Sequence, residues 1–108
     1  MTFHVQVLYP NDEGAKFDLD YYIKTHMPLV VEKWSKYGLK GYHVTDFKPG
    51  PDGAKPKFST SGTLIWEKPE DVQTAMGAGD DAAAIFADIV NFSNVQPIIL
   101  SGPIVDSK

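Results

Sequence analysis

Residues 17–30 read FDLDYYIKTHMPLV, and the reading of this stretch sets that of its flanks. Asp18 is a good N-cap, and Asp20 places negative charge in the first turn, where free N–H groups and the helix dipole favour it. Apolar residues then recur at Leu19, Tyr22, Ile23, Met27, Val30, Val31, Trp34 and Tyr37. That spacing is a helical stripe, not the alternation of a strand. His26 falls inside the stripe, between Tyr22 and Val30. Gly38 follows as the expected C′ residue, with Lys33 and Lys36 in the last turns. Pro28 conflicts with this pattern. It has no N–H and clashes with the carbonyl of Lys24, at about 3 kcal/mol in a helix interior. It also disfavours the α region at Met27. The expectation is a kink or break at His26–Met27, with Pro28 opening a second helical segment.

Upstream, Phe3 to Tyr9 alternates and is rich in β-formers, so it reads as a strand. Pro10 to Gly14 reads as a turn. Downstream, Gly41 to Lys48 reads as a second strand, Pro49 to Ser59 as a long loop and Gly62 to Glu67 as a third strand. Pro69 suits the first position of a helix, with Glu70 and Asp71 in its first turn. Val72, Ala75 and Met76 form its expected buried side. Gly77 and Gly79 interrupt it, and Asp81 to Phe92 resumes helix with Ile85, Phe86, Ile89, Val90 and Phe92 facing inward. Val95 to Val105 reads as a last strand, with Pro97 and Pro103 placing part of it at an edge.

The order β-α-β-β-α-β is that of an α+β, ferredoxin-like fold: four antiparallel strands with helices on one face. One domain over residues 1–108 is expected. The first strand puts Phe3, Val5, Val7 and Tyr9 on one side and His4, Gln6 and Leu8 on the other. Apolar groups on both faces call for a second cover. A two-fold homodimer packed through the sheet is the economical arrangement.

Composition narrows the function. Hydrophobic residues make up 43% of the 108-residue chain, ordinary for a globular protein, and no run is long and apolar enough for a membrane span. The formal charge of −4, with positive charges scattered, argues against nucleic acid and anionic membranes. There is no Cys, so no disulfide framework or thiolate metal site. The N-terminus lacks the pattern of a secretory signal, which leaves a cytoplasmic location as the expectation.

The chain resembles the EthD-like proteins, the ethyl tert-butyl ether degradation family of the dimeric α/β-barrel superfamily. The resemblance is carried by Phe17-Asp18, Tyr21-Tyr22, His26 with Pro28-Leu29, and Ala87-Asp88 with Asn91-Phe92. It implies a homodimer whose two sheets close into a barrel, with a small cavity between sheet and first helix. It also implies a link to oxidative catabolism of ethers, and to the dehydratase- or cyclase-type chemistry of fungal relatives.

His26 is the leading candidate for chemistry. Burial lowers an imidazole pKa, so that the neutral base dominates near pH 7. Tyr22, one turn earlier, shares its wall and can act as a hydrogen-bond partner. Trp66, Phe47 and Val30 are candidate apolar walls of a substrate site. Tyr21 points about a quarter-turn from Tyr22, and Asp88 reads as a surface or capping residue. An acid–base partner for His26 is then expected from Asp46, Glu67 or another protomer. His4 and His43 have no local ligand spacing with His26, so no metal is expected. No phosphate- or dinucleotide-binding fingerprint is present, and no cofactor is expected. The expected function is a cofactor-independent enzyme, of oxidoreductase or dehydratase type, on a small apolar oxygen-bearing molecule. Its alternatives are a non-catalytic binding protein of such a pathway, and a structural dimer in which His26 only satisfies the helix break.

Overall fold

A computed structural model describes residues 2–108. Strand β1 (Phe3–Pro10) is followed by a helical arm made of α1 (Leu19–Tyr21), a π-helical turn (Tyr22–His26), α2 (Met27–Trp34) and a 3-10 turn (Ser35–Tyr37). Strands β2 (Leu39–Asp46) and β3 (Phe58–Trp66) come next. The second arm is α3 (Pro69–Met76), α4 (Asp80–Ala87) and a 3-10 turn (Asp88–Asn91), and β4 (Ile98–Pro103) closes the order. The sheet runs β2-β3-β1-β4 with every neighbouring pair antiparallel. This is the α+β, ferredoxin-like arrangement expected from the element order.

The caps act as the sequence implies. The Asp18 carboxylate accepts from the Tyr21 N–H at 3.1 Å, and Gly38 takes φ 107°, the left-handed region that glycine enters without strain. Pro28 stands at the opening of a second α segment, α2, as expected, but the junction before it does not break. Met27 keeps α geometry (φ −65°, ψ −39°), and its N–H reaches back to the Tyr22 carbonyl, one residue further than in an α-helix. The turn before Pro28 widens instead of breaking, as π-turns allow. Widening leaves room beside the Lys24 carbonyl, where the pyrrolidine ring would otherwise clash.

Other boundaries differ, and β2 itself sits two residues earlier than expected. β3 starts at Phe58, because Ser59, Thr60 and Ser61 are held between β1 and β2 despite their polar look. β4 starts only at Ile98: Pro97 has no N–H to give, and the Val95 N–H and carbonyl are both bonded to Ser93 Oγ. The second arm loses α geometry at Asp88, Val90 faces outward at 74% exposed, and Phe86 reaches only the edge of the core, 41% exposed.

The register divides the sheet into two faces. Val5, Val7 and Tyr9 stand beside Leu64, Gly62 and Thr60 and face the helices. There the core closes around Met27, Val30, Trp34, Leu64, Trp66 and Ile85. The opposite face presents His4, Gln6, Leu8, His43, Thr45 and Ile65 with Ile98 and Leu100. It carries no helix, and among the paired residues on it there is no carboxylate or ammonium group. No helix among the described residues is long and apolar enough to cross a membrane.

Candidate functional site

The site forms where the start of the first arm meets the end of the second. Residues 14–18 are laced to 92–94: Asp18 N–H donates to the Phe92 carbonyl at 2.8 Å, Lys16 N–H to Asn94 Oδ1 at 2.7 Å, and Asn94 Nδ2 to the Gly14 carbonyl at 3.0 Å. These bonds fix the last turn of the second arm against the first turn of the helix. Phe92 is the pivot. Its buried ring lies 4.5 Å from the His26 ring, 5.0 Å from Tyr22 and 5.4 Å from Phe17, centre to centre.

That junction brings Asp88 to His26. His26 Nδ1 and Asp88 Oδ2 are 2.9 Å apart, with the two side chains 5% and 12% exposed. Tyr21 OH donates to Asp88 Oδ1 at 2.6 Å, and Asn91 Nδ2 donates to the same oxygen at 2.9 Å. Burial pushes the Asp88 carboxyl up, but hydrogen bonds from Tyr21, Asn91 and His26 together outweigh it and leave it below its usual value. Burial pushes the His26 imidazole down, and the nearby Asp88 only partly restores it. At neutral pH the pair is therefore a carboxylate and a neutral imidazole. The carboxylate can only accept, so the proton sits on Nδ1 and Nε2 keeps a free lone pair. The hydrogen bond to Asp88 also raises the Tyr21 phenol.

Tyr22 completes the wall. Its ring stacks on His26 at 5.4 Å and 15°, a near-parallel pairing of residues four apart across the widened turn. Its hydroxyl rests against Gly62, where a Cβ would overlap it, so glycine there lets the phenol reach the sheet. Burial raises the pKa of both Tyr22 and Tyr9 well above that of a free phenol.

A cavity of about 40 Å³ lies between this helix, α4 and the sheet. His26, Tyr22, Tyr9, Val30 and Trp34 are among its walls, and the wall is mostly apolar. It has room for about one water molecule. Two buried indole N–H groups in this core, those of Trp34 and Trp66, have no acceptor among the described residues. An unpaired buried donor costs about 1–3 kcal/mol, so each orphan calls for an explanation.

Of the residues expected at the site, His26, Tyr22 and Val30 meet at the cavity. Trp66 and Phe47 are not among its walls: Trp66 packs against Trp34 at 5.7 Å, and Phe47 follows the end of β2. Asp46 and Glu67 are not partners of His26 either, since they face Lys48 and Lys40. The partner is Asp88, which a reading as a solvated helix residue missed. The available signal was the pattern Asp88, Asn91, Phe92, which puts a carboxylate, an amide and an aromatic ring on one face of a turn. His4 and His43 lie on the bare face of the sheet, 6.5 Å apart, away from His26.

No family model and no curated protein matches the sequence. Solved structures do. An EthD-like protein from Ralstonia eutropha JMP134 superposes with a TM-score of 0.88 at 30% identity, covering 99% of this chain and 95% of that one. An ethyl tert-butyl ether degradation (EthD) family protein from Bacillus halodurans C-125 gives 0.75 at 26% identity, covering 97% and 100%. A dimeric ferredoxin-like protein of unknown function from Thermobifida fusca, at 12% identity and 0.58, shares the fold alone over 95% and 90% of the two chains. With 30% identity held over 95% of the Ralstonia protein and 99% of this chain, the chain belongs to the EthD-like family.

Proposed function

We propose that this protein is a small, cofactor-independent enzyme that moves protons on an apolar, oxygen-bearing molecule. His26 acts as the general acid–base and Tyr22 as the group that orients the substrate oxygen. The observation that carries the reading is the 2.9 Å bond from His26 Nδ1 to Asp88, which puts the proton on Nδ1 of an imidazole that lines an apolar cavity. Nε2 takes a proton from the carbon next to a carbonyl, and Asp88 stabilises the imidazolium that forms. In a dehydration the C–O bond of a β-hydroxyl then breaks, and the imidazolium returns the proton so that water leaves. Proton transfer of this kind serves dehydratase-type chemistry directly, and it also serves the enolisation that opens an oxidation.

The working form in this reading is a homodimer. A sheet face without fixed charges, carrying Leu8, Ile65, Ile98 and Leu100, loses little when it leaves water. A carrier that holds such a molecule without turnover is the second reading, favoured by the mostly apolar lining of the cavity.

Deuterium exchange next to the carbonyl of 1-tetralone, followed by NMR in D2O, tests the catalytic reading. The expected result is exchange above the buffer rate that disappears in His26→Ala and falls in Asp88→Asn. Equal rates in wild type and His26→Ala would overturn it. Binding without exchange would leave the carrier.

A further inference from the structure

We propose that the Trp34 end of the cavity is a second polar subsite, built to donate one hydrogen bond from Trp34 Nε1–H to an oxygen of the ligand remote from its reacting carbonyl. The proposal rests on the cavity being a ligand site, and not on catalysis at His26.

Three observations converge on it. Trp34 is part of the cavity wall, and its indole N–H is buried without an acceptor. An indole nitrogen can only donate, so what is missing is an acceptor such as a carbonyl or ether oxygen. Trp34 lies eight residues beyond His26 on α2, about 12 Å along the helix at 1.5 Å per residue. One polar residue thus stands about two helical turns beyond the other along a shared apolar wall, a spacing that fits an elongated molecule with an oxygen at each end. The third observation concerns room. The cavity, at about 40 Å³, is too small for any such molecule as it stands. One wall can give way: Phe86 lines the cavity, is 41% exposed, and meets the Trp34 ring edge-on at 6.3 Å. Rotation of Phe86 toward solvent enlarges the cavity beside Trp34 without disturbing the buried network at His26. Trp66 provides a control. Its N–H is also unpaired, but it is not part of the wall.

The two tryptophans give two indole cross-peaks in a 15N–1H spectrum, assigned with Trp66→Phe. The probes are 6-methoxy-1-tetralone, which has a remote ether oxygen, and 1-tetralone, which lacks it. The methoxy ketone is expected to move the Trp34 indole proton downfield and leave that of Trp66 in place, with a smaller effect from 1-tetralone. Trp34→Phe is expected to weaken the methoxy ketone on the order of tenfold, the worth of one ordinary hydrogen bond, and to affect 1-tetralone much less, so that the preference between the two is lost. Phe86→Ala is expected to tighten both. A Trp34 signal that stays put up to the solubility limit of the methoxy ketone overturns the subsite. So do equal shifts of both indoles, and a Trp34→Phe variant that keeps the wild-type preference. A Trp34 shift without deuterium exchange would leave the subsite standing and remove the catalytic role of His26; exchange without the shift would do the reverse.

Discussion

The two helical arms cover the same sheet face but contribute differently. The first, from Leu19 to Tyr37, is continuous, strongly striped and capped at both ends. It supplies the imidazole, the stacked phenol and much of the cavity wall. The second is interrupted between Met76 and Asp80 and loses α geometry at Asp88. It adds apolar cover and the Asp88 carboxylate, which fixes the tautomer of His26. Part of the chemistry thus depends on the arm with the weaker pattern, because a hydrogen-bonding partner need only arrive at the right place.

If Phe92 is the joint between the arms, removing it should have the largest effect. Phe92→Ala is expected to lose about 3–5 kcal/mol in denaturant unfolding at fixed protein concentration. A loss below about 1 kcal/mol would mean that the backbone bonds between residues 14–18 and 92–94 hold the arms unaided. Asp88→Asn should cost less, about 1–3 kcal/mol, as expected for hydrogen bonds to a charged group. It should also lower the His26 pKa further in an NMR titration, because Asp88 is what raises it. An unchanged titration would separate the two residues.

The dependence on pH sharpens the contrast. The folded His26 has a pKa below its free value of 6.5, so between the two the unfolded chain binds more protons. Stability should be full above about pH 6.5 and fall as pH drops through the folded pKa. His26→Gln should flatten that part of the curve. The contribution of Asp88, whose pKa is also depressed, should remain above its usual 3.8 and be lost as pH falls through its folded value. Loss of stability as pH rises through 6.5 would contradict this assignment. The smallest effect is expected at Phe86. Phe86→Ala should change stability by about 1 kcal/mol or less, against about 2–5 kcal/mol for Ile85→Ala beside it, since only Ile85 is fully buried.

These differences track what the sequence makes readable. Asp18, Gly38 and the stripe around His26 are local signals, and local geometry honours them. The element order carries the fold because short connections leave few ways to pair four strands. The pattern Asp88, Asn91, Phe92 marks a polar turn, but which group it meets is settled only when segments 62 residues apart in sequence come together. Trp66 and Phe47 show the same limit from the other side. Strand alternation gives a residue its face, but not which of its neighbours a cavity adjoins. Pro28 was legible as an anomaly, while its outcome, a wider turn rather than a break, depended on the packing of both flanking segments.

That wider turn makes the first arm two rods joined out of phase. It holds one residue more than an α-helical turn spanning the same rise. Deleting Lys24 or Thr25 would restore the ordinary hydrogen-bond ladder and leave the flanking segments near their places. It would also bring a carbonyl back against the Pro28 ring, the clash that costs about 3 kcal/mol in a helix interior. Substitution at these two exposed positions is an ordinary surface change, whereas loss of a single residue there removes the slack that accommodates the proline. The length of this turn, more than its composition, is what lets Pro28 sit inside the arm.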